Sequence, residues 1–463
     1  MSKKKRMVSY LLCLSLCFFI GCKDNSENGK TETDKETYTG RKKINILESQ
    51  MANQRERGVT QKNIGKETER QTLLEHTNEK QENNAEVILN KKQIKDKNEN
   101  SFAMYGNGLV DLERFRPQSA EEIYAMVNGY SIPAYAYFDG RIRTKEDDER
   151  LLASRNLEQI SDPVYLHYGV ITKSAAVRSF PTEKAITKEG KADDLDYIQE
   201  SMLGIGEGVV ICHQTMDKKY SFVQGYQYRG WILTECIGFC DKEEMVDFIK
   251  ADSFIVVTDA VLNMRNEMLR MGTKLPMVKK IESGYLVQFP IRDKKGNLQM
   301  GKRYICKSSA SLGYLAYTEE NLLNQAYKMI GQPYGWGDTD GYMDCSSTMN
   351  SIFRVFGIYM PRNTSKFSKF DAKVTDLSSM GEKEKEETIK HAGIGSLILL
   401  PGHVVMYVGE KNGKSEILHN VTGYSLDGGE AMTVMECRVT PMEIYSTGGI
   451  FYPKLFTTLV EVE

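Results

Sequence analysis

A glycine-rich loop that runs into a helix constrains the fold of this 463-residue chain more than any other feature. The loop spans Pro333–Asp344, and apolar residues then recur with helical spacing at Met349, Ile352, Phe353 and Phe356. Asp344 is a favourable N-cap residue, and Gly357 ends the pattern. Cys345 is therefore predicted on the first helical turn, where free backbone N–H groups and the helix dipole favour a thiolate.

Two histidines further along the chain could supply a base for such a cysteine. His403 opens a predicted strand, and His419 ends the next one. The Asn412–Gly413 pair between them is a strong hairpin signal, so we expect the two histidines on adjacent strands. A cysteine, a histidine base and a third polar group that orients the base make an activated nucleophile. The alternative is a buried structural cysteine with histidines that serve only the core.

These residues resemble a known family. The run Asp344–Ser347, the strand that begins at Gly402 and the later His419 are similar to motifs of the NlpC/P60 family. The resemblance implies a papain-like cysteine peptidase of bacterial cell walls with a Cys-His-His triad. In that triad Cys345 is the nucleophile, His403 is the base, and His419 orients the base.

The segment after the nucleophile helix also fits this family, because it contains the run Pro361-Arg362-Asn-Thr. Two positions depart from the usual pattern. Phe367 stands where glutamine is common, and Ser396 stands where aspartate is common. Neither is a triad position, so the departures concern local packing more than activity.

The order of domains resembles that of the YkfC-like γ-D-glutamyl-L-diamino acid endopeptidases. The resemblance implies cleavage of peptidoglycan stem peptides whose leading L-Ala carries a free amine. It implies an oxyanion role for Tyr334 and substrate binding by Asp344, Ser346, Glu200 and Tyr228. The alternatives are a packing aromatic for Tyr334, a helix cap for Asp344 and helix filler for Ser346. For Glu200 and Tyr228, a surface residue and a core residue are the favoured interpretations.

The N-terminus has the pattern of a lipoprotein signal peptide. Basic residues at 3–6 precede an apolar run at 7–20 that is short for a membrane span. The run leads to Phe19-Ile-Gly-Cys22, which resembles a lipobox and implies acylation of Cys22; the alternative is a plain signal peptide. Residues 23–100 contain no Phe, Trp or Cys, so we predict a disordered polar tether. We expect a lipid-anchored protein of the cell envelope that faces the periplasm or the cell surface, with the outer membrane as one location.

The rest of the chain is predicted to form an α+β protein of four parts. Residues 101–164 form a small helical clip. Short strands with glycine turns follow at 165–245, and a weaker copy of the same pattern follows at 246–317. Both regions resemble SH3-like β-barrels of bacterial SH3 domains. The papain-like NlpC/P60 catalytic domain is predicted at 318–463.

Composition bears on the partners and cofactors. The net charge of −2 gives no electrostatic case for nucleic acid. Cys212-His213 with Cys236 and Cys240 is loosely similar to a zinc motif, but no second close pair completes it, so we predict no metal and no cofactor. We expect a monomer that acts on peptidoglycan-derived peptides and touches the membrane through its lipid anchor.

Two rival functions stay open on the sequence alone. The first is an amidase or acyltransferase of the same fold with another substrate. The second is a wall-binding lipoprotein whose SH3-like barrels bind without turnover.

Overall fold

The computed structural model describes residues 86–117, 119–191, 194–265 and 267–463. The predicted signal peptide, Cys22 and most of the predicted tether lie outside these residues. All described residues belong to one compact unit of the chain. Within the described ranges, no helix is both long enough and apolar enough to cross a membrane.

The end of the predicted tether is folded, which corrects the prediction of disorder as far as residue 100. Strand β1 (Val87–Leu89) and helix α1 (Lys91–Ala103) form there, and the Asn90 side chain caps the helix. The segment is too polar to fold alone, but Leu89 and Ile94 are buried in the core of the C-terminal region. Tertiary packing therefore outweighs the local composition.

Two capped helices form in the region that was predicted to be a helical clip. Helix α2 (Ala120–Asn128) begins after the cap residue Ser119, and helix α3 (Lys145–Ala153) begins after Thr144. Between them lies a short hairpin. Its strands are β2 (Tyr137–Phe138) and β3 (Arg141–Ile142).

A seven-stranded antiparallel sheet forms in the region predicted as the first barrel. Its strands are β4 (His167–Ile171), β5 (Ala175–Arg178), β7 (Gln199–Leu203), β8 (Gly208–Gln214), β9 (Tyr220–Gln224), β10 (Arg229–Leu233) and β11 (Ile237–Cys240). Their order is β11-β4-β8-β9-β10-β5-β7. Strand β6 (Ile186–Thr187) pairs with β2 and so ties this region to the clip. Phe222 and Trp231 are fully buried in its core, with ring centroids 5.4 Å apart.

A second, five-stranded antiparallel sheet follows helix α4 (Lys242–Ile249). Its strands are β12 (Phe254–Val257), β15 (Lys274–Ile281), β16 (Gly284–Arg292), β17 (Leu298–Cys306) and β18 (Ala310–Leu312), in the order β17-β16-β15-β12-β18. A separate hairpin consists of β13 (Val261–Met264) and β14 (Glu267–Arg270). The prediction of strands in this region is confirmed, and its identity as a second SH3 domain stays a prediction.

The C-terminal region combines helices with a six-stranded antiparallel sheet. Strand β19 (Tyr317–Thr318) pairs with β1 and leads into helix α5 (Glu319–Lys328). The elements that follow are α6 (Cys345–Arg354), β20 (Lys373–Asp376), α7 (Glu382–Ala392), β21 (Leu397–Leu400), β22 (His403–Lys411), β23 (Lys414–Tyr424), β24 (Met432–Pro441), α8 (Tyr452–Leu455) and β25 (Thr458–Glu461). The sheet order is β20-β25-β21-β22-β23-β24, and α6 packs on β22 and β23.

Candidate active site

Cys345 occupies the predicted junction between loop and helix. It is the first residue of α6, and Asp344 is the N-cap. Oδ1 of Asp344 accepts a hydrogen bond from the Ser347 N–H at 2.9 Å, while Ser347 Oγ accepts one from the Asp344 N–H at 2.9 Å. The predicted apolar face of the helix is buried in the core: Met349, Ile352, Phe353 and Phe356. The capping box and this packing together hold the thiol at a fixed position.

The thiol lies in a largely closed environment. Cys345 is 8% exposed, and the Thr364 hydroxyl lies 3.9 Å from its Sγ. The backbone N–H of Val404, at the start of β22, points toward the sulfur. Burial, and after it the Asp344 carboxylate, raise the pKa of the thiol to about 12. Burial of Cys345 therefore favours the neutral thiol, whereas the sequence indicated a thiolate stabilised at the helix N-terminus.

The β22–β23 hairpin brings the two predicted histidines together. His403 Nε2 lies 3.4 Å from His419 Nδ1, and His419 Nε2 lies 3.2 Å from the Thr440 hydroxyl on β24. The rings of Tyr424 and Tyr452 pack against His419 at centroid distances of 5.8 and 6.0 Å. Thr440 was not predicted from the sequence, since only the pairing of β23 with β24 brings it to His419.

Both imidazoles are neutral at neutral pH. Burial lowers the pKa of His403 to about 4. Burial, with a smaller contribution from His403, also holds the pKa of His419 well below its ordinary value. A neutral imidazole can accept a proton. Because Nε2 of His403 faces His419, Nδ1 is the nitrogen that is left for another partner.

Tyr334 lies beside the thiol. Its backbone N–H donates to the Met435 carbonyl at 2.9 Å, and its backbone pairs with Met343 in a β-bridge. Burial, followed by the nearby Cys345 and Asp344, raises the pKa of the Tyr334 phenol above its ordinary value. The phenol is therefore protonated and can donate a hydrogen bond close to Cys345.

A buried arginine holds the Asp344 carboxylate. Arg362 Nη2 lies 2.7 Å from Asp344 Oδ2, and Nη1 donates to Oδ1 at 3.1 Å. The Ser346 hydroxyl donates to Asp344 Oδ1 at 3.0 Å and accepts from Arg362 at 2.7 Å. Two residues predicted to bind substrate thus share one guanidinium. Arg362 belongs to the family-like run Pro361-Arg362-Asn-Thr, but its ion pair with Asp344 was not predicted from the sequence.

The two predicted substrate residues of the first barrel lie beside the same arginine. The Tyr228 hydroxyl donates to Glu200 Oε2 at 2.6 Å, and Arg362 Nε donates to the neighbouring Ser201 hydroxyl at 2.8 Å. Burial raises the pKa of Glu200, although its hydrogen bonds and Arg362 oppose that shift. Asp344 and Ser346 therefore contact the Arg362 guanidinium directly, whereas Glu200 and Tyr228 lie near enough to feel its charge.

Other positions singled out in the sequence serve packing. Phe367 is fully buried, and Ser396 Oγ donates to the last turn of α7 at 3.0 Å. His213 Nε2 lies 3.0 Å from the backbone oxygens of Arg155 and Asn156, so carbonyl groups engage it.

In the described part of the chain all six cysteines are free. The same residues contain no group of three or more His, Cys, Asp and Glu that could hold a metal ion.

Comparison with known proteins gives two domain matches. Residues 331–433 match the NlpC/P60 family, and residues 184–233 match an SH3 domain of the SH3b1 type. No curated protein matches the sequence. The structure is similar to that of an NlpC/P60 endopeptidase from Photobacterium damselae subsp. piscicida, with a TM-score of 0.65 and 19% identity over 81% of this chain and 94% of that chain. An NlpC/P60 family protein from Bacillus cereus gives a TM-score of 0.44 and 16% identity over 63% and 98%.

The similarity to the Photobacterium structure is one of fold. Together with the two domain matches it confirms the predicted α+β class, with an SH3b domain and a papain-like domain. NlpC/P60 peptidases are cysteine hydrolases that generally act on cell-wall peptidoglycan. The chain therefore carries an NlpC/P60 family domain at residues 331–433, preceded by an SH3b1-type domain at residues 184–233.

Proposed function

We propose that this chain is a cysteine endopeptidase that hydrolyses the γ-D-glutamyl–L-diamino acid amide bond of peptidoglycan stem peptides. The observation that carries the proposal is the position of Cys345 at the start of α6, beside β22 and the line of His403, His419 and Thr440. A nucleophile, a base and groups that orient the base are the parts that acyl transfer requires.

The reaction begins from a neutral thiol and a neutral imidazole. As the substrate carbonyl approaches, His403 takes the proton of Cys345 and the sulfur attacks the carbonyl carbon. The tetrahedral oxyanion then collapses, the C–N bond breaks, and His403 gives its proton to the leaving amine. Water, deprotonated by His403, attacks the thioester and releases the γ-glutamyl carboxylate and the thiol.

Two donors are available for the oxyanion. The backbone N–H of Cys345 is one of the free donors of a helix N-terminus. The Tyr334 hydroxyl is the second, because its phenol is protonated and lies near the thiol. Donors already in place cost no reorganisation when the negative charge develops on the carbonyl oxygen.

Glu200 and Tyr228 anchor the free amine of the leading L-Ala. Both oxygens of Asp344 already face Arg362, whereas Glu200 Oε2 accepts from a neutral phenol. Burial raises the pKa of Glu200, so an ammonium group placed beside this carboxylate would lower the cost of keeping it ionised. Asp344 and Ser346, fixed by Arg362, form the wall of the subsite next to the nucleophile. This arrangement selects stem peptides already released from the glycan.

The proposal includes a lipid anchor at Cys22, which holds the enzyme in the cell envelope, with the outer membrane as one location. Metabolic labelling with a clickable fatty acid tests this part separately from the chemistry. We expect label and membrane fractionation in the wild type, and loss of both in Cys22→Ser. A wild type that is exported but unlabelled would instead support a plain signal peptide.

Peptide cleavage tests the reaction. The full chain, Cys345→Ala and the matched control Cys306→Ala, at an exposed cysteine on β17, are incubated with L-Ala-γ-D-Glu-diaminopimelate and its N-acetylated form. We expect mass spectrometry to show release of diaminopimelate by the wild type and Cys306→Ala, from the free-amine peptide alone. Equal cleavage of both peptides would contradict the amine anchor. No cleavage by a folded protein would contradict peptidase activity and favour wall binding by the SH3-like region.

A further inference from the structure

The loop at Trp336–Gly341, just before the nucleophile, is held by residues from outside the catalytic domain. Gln199 of β7 donates to the Gly337 carbonyl at 2.8 Å. The Met268 side chain of β14 covers Gly341, where a Cβ would meet it at 1.8 Å. Arg270, also on β14, forms an ion pair with Asp338 at 2.9 Å. The first sheet and the β13–β14 hairpin thus shape the loop from two directions.

Asp338 holds an unusual position in this loop. Its φ is +65°, a conformation that few residues other than glycine adopt and that Asp and Asn tolerate best. The residue is 2% exposed, and its Oδ1 accepts a hydrogen bond from the Ser347 hydroxyl, which also accepts from the Asp344 N–H. Burial alone would raise the pKa of Asp338, but Arg362, Arg270 and Ser347 outweigh it and hold that pKa below its ordinary value.

Four charges, of which Arg270 is partly exposed and the other three are buried, therefore form a continuous chain, which we call the charge chain: Arg270, Asp338, Arg362 and Asp344. Arg362 Nη2 lies 3.3 Å from Asp338 Oδ1 and 2.7 Å from Asp344 Oδ2. The side chains of Asp338 and Arg362 are 1% and 3% exposed, so water screens them little. The two positive and two negative charges of the charge chain cancel. The adjacent ion pair of Arg354 and Glu207, at 2.8 Å, has no net charge either.

We propose that Arg270 is a positioning residue for the nucleophile. It neutralises the Asp338 carboxylate, so that Arg362 keeps its ion pair with Asp344. The charges beside Cys345 then cancel. This inference rests on the proposed role of Cys345 as the nucleophile. It makes the β13–β14 hairpin part of the catalytic apparatus, although Arg270 touches neither the thiol nor the substrate.

The charge chain ends among the groups that act on the thiol. The charged and titratable groups around Cys345 are Asp344 at its helix start, Arg362 after α6, Tyr334 in the loop, His403 on β22 and Tyr452 on α8. Loss of Arg270 leaves one excess negative charge in the chain and draws Arg362 toward Asp338. Loss of the Asp338 charge leaves one excess positive charge. The two changes must therefore move the ionisation of Cys345 in opposite directions.

Alkylation of the full chain by iodoacetamide, followed against pH by peptide mass spectrometry, tests the proposal without any substrate. We compare the wild type with Arg270→Met, Asp338→Asn and the double variant; Asn suits the positive φ at 338. We expect the alkylation rate of Cys345 at a given pH to fall in Arg270→Met and to rise in Asp338→Asn. Each rate should change by about three- to tenfold, which is the change in thiolate fraction expected for one uncompensated nearby charge. The double variant should return close to the wild type, and Arg270→Lys should keep most of the wild-type profile.

The same spectra contain an internal control, because the exposed Cys306 lies outside the charge chain and its alkylation profile should not change. Circular dichroism and thermal melting identify any variant that fails to fold. If Cys345 alkylation changed in the same direction in both folded single variants, the cause would be a loosened contact between the hairpin and the loop, and not charge. That result would overturn the proposal. An unchanged Cys345 profile would overturn it too. If Cys345 alkylation changes as expected but the wild type cleaves no stem peptide, the proposed substrate is wrong. The positioning role of Arg270 is then still supported.

Discussion

His403 Nε2 lies 3.4 Å from His419 Nδ1, and the two rings differ in exposure: His403 is partly exposed, whereas His419 is fully buried. Burial holds the pKa of both below the ordinary value. The hydrogen bond therefore joins two neutral imidazoles, and Thr440 continues the line into the sheet at 3.2 Å. Residues of strands β23 and β24 thus fix the orientation of the proposed base.

We expect folding stability to fall as the pH drops through the range between the unfolded and the folded pKa values of these histidines. A histidine in the unfolded chain titrates near 6.5, whereas folded His403 titrates at about 4, so the unfolded state binds more protons between these values. The stabilisation is fully present above the unfolded pKa and is lost as pH falls toward the folded one. The loss approaches about 1.4 kcal/mol per pH unit for each such group.

Urea unfolding at about pH 7 and about pH 5 measures this effect. The loss of stability between the two conditions should be smaller in His403→Asn than in the wild type. His391→Asn is the control, because His391 is an exposed histidine on α7. If the pH dependence of both variants equals that of the wild type, His403 is not held neutral by the fold.

Thr440→Val should lower kcat by about tenfold and leave KM nearly unchanged. Valine keeps the shape of threonine but removes the hydroxyl that faces His419 Nε2. That nitrogen is then buried without a partner, a cost of about 1–3 kcal/mol, and the orientation of the imidazole pair is lost. Steady-state kinetics on the free-amine peptide measure the effect. Thr440→Ser keeps a hydroxyl and should stay near the wild type; a matching loss in that variant would mean that packing of the methyl group matters instead.

Tyr334→Phe should lower kcat by about 100-fold, the usual effect of losing one oxyanion donor. The ring would stay in place, since backbone contacts with Met435 and Met343 position this residue. The alkylation rate of Cys345 should change little, because alkylation forms no oxyanion. Unchanged kcat in a folded variant would mean that Tyr334 is a packing aromatic, the alternative that the sequence left open.

Glu200→Gln and Tyr228→Phe should weaken recognition of the substrate amine. We expect kcat/KM for the free-amine peptide to fall by about 10- to 100-fold, since a charge-assisted hydrogen bond contributes about 1.5–3 kcal/mol. Cleavage of the N-acetylated peptide should stay equally poor in all variants. Glu235→Gln, at an exposed carboxylate of the same region, is the matched control. A similar loss for both peptides would place these residues in folding and not in selection of the amine.

The parts of the site that depend on short-range signals were predictable from the sequence. The helix after Asp344 follows from its cap and its apolar spacing. The β22–β23 hairpin follows from Asn412 and Gly413, which both adopt the positive φ that such a turn requires. These two elements carry Cys345, His403 and His419, so the sequence predicts where each of these residues lies on its own helix or strand. The packing of α6 on β22 and β23 is a tertiary contact that these local signals do not give.

The parts that depend on contacts between distant segments were not predictable. Thr440 reaches His419 only through the register of two strands, and Arg270 reaches Asp338 only because a hairpin of another region packs on the loop. The neutral state of Cys345 was also missed. Local sequence indicates the helix dipole but not the burial that opposes it.

The folded end of the predicted tether provides the last test. Ile94 of α1 is 8% exposed and packs into the catalytic core, and Lys97 of the same helix donates to the Asp371 carbonyl at 2.8 Å. Ile94→Ala should therefore lower the free energy of unfolding by about 2–3 kcal/mol, as large-to-small changes at buried sites do. Urea unfolding of the full chain measures this, and Lys95→Ala, at a position on α1 whose side chain is 75% exposed, should change stability by less than about 0.5 kcal/mol. Equal stability in the two variants would mean that α1 does not pack on the core. The segment would then be the disordered tether that its polar composition predicts. A selective loss in Ile94→Ala would make α1 part of the catalytic core, although its sequence alone indicates a linker.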